Sequence, residues 1–137
     1  MREFKAEYPR KILVADDDPF VLRVLKLKLE NNGYEVFTAI NGTDAQEKFV
    51  TDKPSIVITD INMPRMNGQE LCEMIQEHRG GNPLCIIVMT ASLDNEIRMW
   101  ADKIRDVYFL EKPISPRKIL GLVNQYFSRL QDCNAKL

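Results

Sequence analysis

The stretch Ile12-Leu13-Val14-Ala15-Asp16-Asp17-Asp18-Pro19 decides the fold. Four consecutive apolar residues without polar alternation fit a short strand covered on both faces, and such strands belong to parallel sheets flanked by helices. The run then stops at three carboxylates. Pro19 suits the first turn of a helix, and Asp18, directly before it, reads as the cap of that helix. Arg23, Lys26 and Glu30 form its polar stripe, and Gly33 stands where a left-handed residue would end it.

Working outward, strand and helix patterns alternate along the chain, which predicts an α/β fold: a doubly wound, five-stranded parallel sheet with five flanking helices and right-handed crossovers. Continuous apolar runs at 12–15, 56–59, 85–89 and 107–110 predict strands buried on both faces. Glu35-Val36-Phe37-Thr38-Ala39 mixes polar and apolar residues and predicts an edge strand. The second helix is expected to start around Asn41 to Thr43, with Ala45 and Phe49 inward. Asn67-Gly68-Gln69-Glu70 has the form of a capping box before Leu71 and Ile75, and Gly80-Gly81 is the stop. Asp94 is the expected cap of a fourth helix whose Ile97, Trp100, Ala101 and Ile104 recur at helical spacing. Ser115-Pro116 opens the fifth, with Ile119, Val123, Tyr126 and Leu130 inward. Residues 1–9 read as a polar lead-in, 10–131 as one domain and 132–137 as a tail.

Composition narrows the function. A chain of 137 residues fits one domain with one core. Its 45% hydrophobic and 28% charged residues are ordinary, and a net charge of -1 gives no bulk attraction to nucleic acid or anionic membrane, so no direct nucleic-acid contact is expected. No apolar run approaches the roughly 18 to 20 residues of a bilayer span, and Met1-Arg2-Glu3-Phe4-Lys5 is no signal peptide; a cytoplasmic location is expected. Cys72, Cys85 and Cys133 are widely spaced and His78 is the single histidine, which does not make a zinc site. Cys72 and Cys85 read as small apolar packing residues, and His78 as a surface residue.

Other strands close as the first does. Asp60 follows Ile56-Val57-Ile58-Thr59, Thr90 follows Ile86-Ile87-Val88-Met89, and Lys112 comes just after Val107-Tyr108-Phe109-Leu110. In an open doubly wound sheet, ligands bind beyond the carboxyl ends of the strands. Asp16, Asp17 and Asp60 therefore converge with a hydroxyl and an ammonium. Two like unit charges 4 Å apart cost about 4 kcal/mol at an effective dielectric near 20, so such a cluster either raises a carboxylate pKa or recruits a dication. Magnesium suits hard oxygen ligands and a neighbouring phosphate. Lys112 can reach a phosphoryl oxygen, and Thr90 can donate to one. A carboxylate in this setting can attack phosphorus, giving an aspartyl phosphate.

Four stretches carry a resemblance: Ile12 to Pro19, Ile58-Thr59-Asp60-Ile61-Asn62-Met63-Pro64 with Met66-Asn67-Gly68, Val88-Met89-Thr90-Ala91, and Phe109-Leu110-Glu111-Lys112-Pro113. In this order, each closing a strand, they resemble the receiver domains of two-component response regulators over about residues 10–131. The resemblance implies the flavodoxin-like strand order 2-1-3-4-5. It implies that Asp60 is the phosphoacceptor, that Asp17, Asp60 and the backbone carbonyl of Asn62 ligate Mg2+ directly, and that Asp16 acts through a bound water. Lys112 would hold a phosphoryl oxygen, Lys112-Pro113 would be a cis peptide, and Thr90 and the Ala91 N–H would donate to the phosphoryl group. Thr90 and Phe109 would form the switch; Phe109 lacks a tyrosine hydroxyl, so it would switch on packing alone. The switch would reshape a face over 92–127 read by a downstream effector. Asn62 and Ser92 occupy positions that tune phosphoryl lifetime in the family. The loop Asp102-Lys103-Ile104-Arg105-Asp106 lacks the family's common Gly-Ala pair, so the fourth helix is expected to end differently. A sensor histidine kinase or histidine phosphotransfer protein would supply the phosphoryl group, and a phosphorylation-dependent dimer is compatible with the pattern. Beyond self-catalysed phosphorylation and dephosphorylation, no enzyme activity is expected.

Two other readings compete. Asp16-Asp17-Asp18 also satisfies the Asp-x-Asp motif of haloacid-dehalogenase-type phosphohydrolases, but Pro19 replaces their usual threonine or valine and no acidic pair follows Lys112. A receiver-like binding module independent of phosphate would not need the complete acceptor set. A dinucleotide enzyme is excluded by the lack of a Gly-x-Gly-x-x-Gly turn after the first strand.

Overall fold

The apolar runs are strands and the stretches between them helices in a computed structural model, which describes residues 10–63, 66–80, 83–91, 94–104 and 107–135. In chain order these are β1 (Lys11–Ala15), α1 (Pro19–Glu30), β2 (Glu35–Ala39), α2 (Gly42–Asp52), β3 (Ile56–Asp60), α3 (Gly68–His78), β4 (Cys85–Thr90), α4 (Asn95–Ala101), β5 (Val107–Glu111) and α5 (Pro116–Ala135). The strands form one parallel sheet in the order β2-β1-β3-β4-β5, as expected. The lead-in 1–9, Pro64, Gly81, Ser92 and Arg105-Asp106 lie outside the described residues.

Side-chain alternation splits the core in two. Ile12, Val14, Ile56, Ile58, Ile87 and Met89 face α1 and α5, where Leu22, Leu25, Leu29, Ile119, Val123 and Phe127 close over them. Leu13, Val57, Ile86 and Val88 face the other way, onto Ala45 and Phe49 of α2 and Leu71, Cys72 and Ile75 of α3. The three inner strands are thus covered on both sides, which explains their unbroken apolar runs.

Local chemistry starts α1 to α4, and ends α1, where the sequence says it should. The Asp18 carboxylate accepts the Phe20 N–H at 2.9 Å, Asn41 accepts from Asp44 at 2.8 Å, and Asp94 accepts from Ile97 at 3.0 Å. Both halves of the capping box form: Glu70 N–H to Asn67 at 2.9 Å, and Asn67 N–H to the Glu70 carboxylate at 3.0 Å. Gly33, at φ +92°, takes the left-handed position after α1.

Three expectations need correction. The run 107–110 is not buried on both faces: among the described residues β5 is the second edge strand of the sheet, none of its residues is buried, and Tyr108 is 39% exposed. Ile104 is not in α4, because the chain after Ala101 tightens to three-residue bonds, Lys103 N–H to Trp100 O and Ile104 N–H to Ala101 O; Ile104 still packs against the core from that turn. The tail expected from 132 is helical to Ala135, since Gln131 to Ala135 includes neither glycine nor proline.

Candidate functional site

The parallel register carries β1, β3, β4 and β5 to a common edge, so the residues that end them meet. Asp16 follows β1, its N–H donating to Ala39 O at 3.0 Å, and is fully buried. Asp60 is the last residue of β3 and buried; Asp17 is exposed. Carboxylate oxygens of Asp16, Asp17 and Asp60 all lie within 4.8 Å of one another. Lys112 arrives from beyond β5, its N–H bound to Thr90 O at 2.7 Å. Its Nζ stands 3.4 Å from Oδ2 of both Asp16 and Asp60. The Lys112-Pro113 bond is cis, as expected.

The electrostatics follow from crowding and burial. With all three carboxylates ionised, the Lys112 ammonium, alone among the described residues, leaves two negative charges uncompensated at a largely buried site. Burial, chiefly, pushes the Asp16 carboxyl above its ordinary range, with the Asp60 charge adding to the rise; the Asp18 N–H, donating to Asp16 at 2.9 Å, and Lys112 offset part of it. For Lys112, burial works to lower the pKa, but Asp16 and Asp60 more than offset it, and the ammonium is held above its usual value. A raised carboxylate is one of the two outcomes foreseen for such a cluster. The donor set, hard oxygens converging within one ion's coordination sphere, fits a dication of the magnesium or calcium class and not a soft metal.

The remaining site residues fall around this cluster. Thr90 ends β4 and is buried, Ala91 follows it and is exposed, and Asn62 is exposed two residues beyond β3. Phe109 pairs in register with Val88 while Thr90 pairs with Glu111, so Phe109 and Thr90 lie on the same face of the sheet, two residues apart along the ladder. Phe109 is half-buried and meets Trp100 of α4 edge-on, ring centroids 5.7 Å apart. Cys72 takes no part: burial pushes its thiol up to about 12.

Some contributors were not legible as such. Gly68 brings its backbone against the end of β3: a Cβ there would stand 2.4 Å from Asp60 O. Gly42 is equally tight against the backbone of Met66. For Gly42 the sequence signal is only a glycine at a helix start; Gly68 also belongs to the Met66-Asn67-Gly68 stretch, which does not itself show the close approach.

Comparison with known proteins agrees with this geometry. The family model described as the response regulator receiver domain matches residues 12–124. The alkaline phosphatase synthesis transcriptional regulatory protein PhoP of Bacillus subtilis is 30% identical over 120 residues, which is 88% of this chain and 49% of PhoP. An uncharacterized 14.6 kDa protein of Leptolyngbya boryana is 35% identical over 84% of this chain and 88% of its own length. A chain of the CheX–CheY–BeF3–Mg2+ complex from Borrelia burgdorferi superposes with a TM-score of 0.75 at 26% identity, covering 85% of this chain and 88% of that one. The chain spans about half the length of most of the curated relatives it matches.

Proposed function

This chain belongs to the family of response regulator receiver domains, and on that premise we propose that Asp60 accepts a phosphoryl group in a two-component or phosphorelay signalling system. The observation that carries the assignment to Asp60 is the Lys112 ammonium, 3.4 Å from both the Asp60 and Asp16 carboxylates at the edge where Thr90 also ends its strand. Family membership decides for the receiver over the phosphohydrolase, and the complete acceptor set of Asp16, Asp17, Asp60, Thr90 and Lys112 supports a phosphate-dependent receiver.

The chemistry is in-line transfer. An Asp60 carboxylate oxygen attacks phosphorus as the bond to the donor's leaving group breaks, the donor being a phosphohistidine of a sensor histidine kinase or histidine phosphotransfer protein. Lys112 moves from its carboxylate contacts to a phosphoryl oxygen, offsetting the charge that builds there. The Thr90 hydroxyl and the Ala91 N–H donate to the remaining oxygens. Asp17, Asp60 and the Asn62 carbonyl would hold Mg2+, with Asp16 acting through a water, and the ion would supply positive charge between the two anionic groups. The chain is then a phosphoacceptor and not a turnover enzyme; it catalyses only its own phosphorylation and dephosphorylation.

Thr90 and Phe109 share one face of the sheet, which supports their role as the switch that alters α4, β5 and α5 for a downstream effector or a phosphorylation-dependent dimer. A cytoplasmic setting matches a histidine kinase donor, and among the described residues no helix is long and apolar enough to cross a membrane.

Intact mass after incubation with acetyl phosphate, with and without Mg2+, tests the reading in wild type and Asp60→Asn. One added phosphoryl group, dependent on metal and absent from the variant, is expected. Labelling that persists in Asp60→Asn, or multiple turnover on simple phosphate esters, would overturn it.

A further inference from the structure

Thr59 is wholly buried in β3, directly ahead of Asp60. A buried hydroxyl must find a partner. Its Oγ1 donates to the Asp60 carbonyl oxygen at 2.9 Å, with the Met63 sulfur 4.0 Å away. That bond closes across both backbone dihedrals of Asp60, which determine where the Asp60 side chain leaves the strand. The next two backbone groups are also tied: Ile61 N–H to Met89 O at 3.0 Å, and Ile61 O from the Gly68 N–H at 2.9 Å. The turn out of β3 is thus fixed at three consecutive backbone groups. Two of these ties are backbone to backbone. The third is the Thr59 hydroxyl, the one tie that a side-chain substitution can remove while leaving the path of the chain unchanged.

We propose that Thr59 is a positioning residue for the phosphoacceptor: its hydroxyl holds the Asp60 backbone so that the Asp60 carboxylate meets Lys112 and the metal in one orientation. This rests on the reading of Asp60 as the phosphoacceptor. A Thr59 that only satisfied its own hydroxyl would contribute to stability and leave metal affinity alone, which separates the two roles.

The test uses the whole chain as wild type, Thr59→Val, Thr59→Ala and Thr59→Ser, each well below its melting temperature. Mg2+ affinity is read from an NMR titration following the amides of Asp17 and Ile61, and the labelling rate from intact mass with acetyl phosphate at saturating Mg2+. Thr59→Val and Thr59→Ala are expected to bind Mg2+ about tenfold more weakly, the scale typical of lost outer-shell support, and to label more slowly. Thr59→Ser, which keeps the hydroxyl, stays close to wild type. Val equal to wild type in Mg2+ affinity and rate overturns the proposal, whatever its stability. Should Val fail to fold, the Ser and Ala variants decide, since they differ by the hydroxyl alone, and equal Mg2+ affinity in these two overturns it. A wild type that takes neither Mg2+ nor phosphoryl group overturns the receiver chemistry itself, and the role of Thr59 with it; a wild type that takes both while Thr59→Val matches it overturns the role of Thr59 alone.

Discussion

At the scale of single residues, the site is built against the stability of the metal-free fold. Asp16 is fully buried with its pKa raised, so the folded state holds the Asp16 proton more tightly than the unfolded chain does. The stabilisation linked to that proton is complete below the ordinary carboxylate pKa of about 3.9 and is lost as pH rises through the raised folded value. At pH 7 without metal, Asp16→Asn should therefore melt above wild type, and the gap should narrow as pH falls toward about 4. Mg2+ should raise the wild-type melting temperature more than that of the variant. Lys112 works with the opposite sign of charge: its raised pKa stabilises the fold below about 10.4, and that contribution is lost as pH rises through the folded value. Lys112→Met should accordingly lower stability at pH 7 and cut phosphorylation by about 10²-fold or more, having removed the charge nearest the transferring group. Thermal melts in EDTA and in Mg2+ check both variants; an Asp16→Asn protein less stable than wild type in EDTA would refute the account of Asp16. These residues were legible because each polar side chain ends an apolar run. Thr59 was not, because a buried threonine in a strand reads equally well as a β-former chosen for its shape.

At the scale of elements, the caps and the edge strand β2 were written in the local sequence, and the exposure of β5 and the end of α4 were not. Asp18, Asn41, Asn67 and Asp94 hold helix starts through contacts two or three residues away, which spacing alone can show. The exposure of β5 depends on a missing neighbour strand, and the early end of α4 on a tightened turn; neither is local in sequence. One helix end is strained. Lys53 closes α2 at φ 52°, ψ 60°, its N–H on Phe49 O, in a left-handed conformation that costs an L-residue roughly 1–2 kcal/mol. Lys53→Gly should raise stability by about 0.5–1 kcal/mol, the relief being partly offset by the freer unfolded chain. Gly33→Ala should do the reverse, losing about 1 kcal/mol or more, because φ +92° suits only glycine although nothing crowds a Cβ there. Urea midpoints measure both; a lower midpoint for Lys53→Gly would show that its side chain contributes more than its backbone costs.

At the scale of the whole molecule, the question is how a phosphoryl group on Asp60 reaches a partner. Thr90 and Phe109 lie on one face of the sheet, and Phe109 meets Trp100 edge-on at 5.7 Å, so a path across that face leads from the site toward α4. Such an edge contact contributes about 0.5–1.5 kcal/mol beyond its buried area, enough to bias a two-state rotamer and small enough for phosphorylation to overcome. The end of the path is loosely held: no residue of α4 is fully buried, and Met99 is 64% exposed. A helix held by few buried contacts shifts at little cost, whereas the inner strands, covered on both faces, do not. Phosphorylation should therefore change α4 and β5 and leave β1 and β3 as they are. Trp100 is the one tryptophan of the chain, so its emission reports this face without interference. Adding Mg2+ and beryllofluoride should shift that emission in wild type. The shift should vanish in Asp60→Asn, which cannot hold the mimic, and shrink in Phe109→Ala, which holds it but has lost the ring that touches Trp100. Amide exchange supplies the independent measure, with faster or slower exchange expected in 94–104 and 107–127 and none in 12–15 or 56–59. An unchanged Trp100 spectrum together with unchanged exchange over α4, β5 and α5 would break the path at Phe109 and leave the phosphoryl group to be read at the site itself.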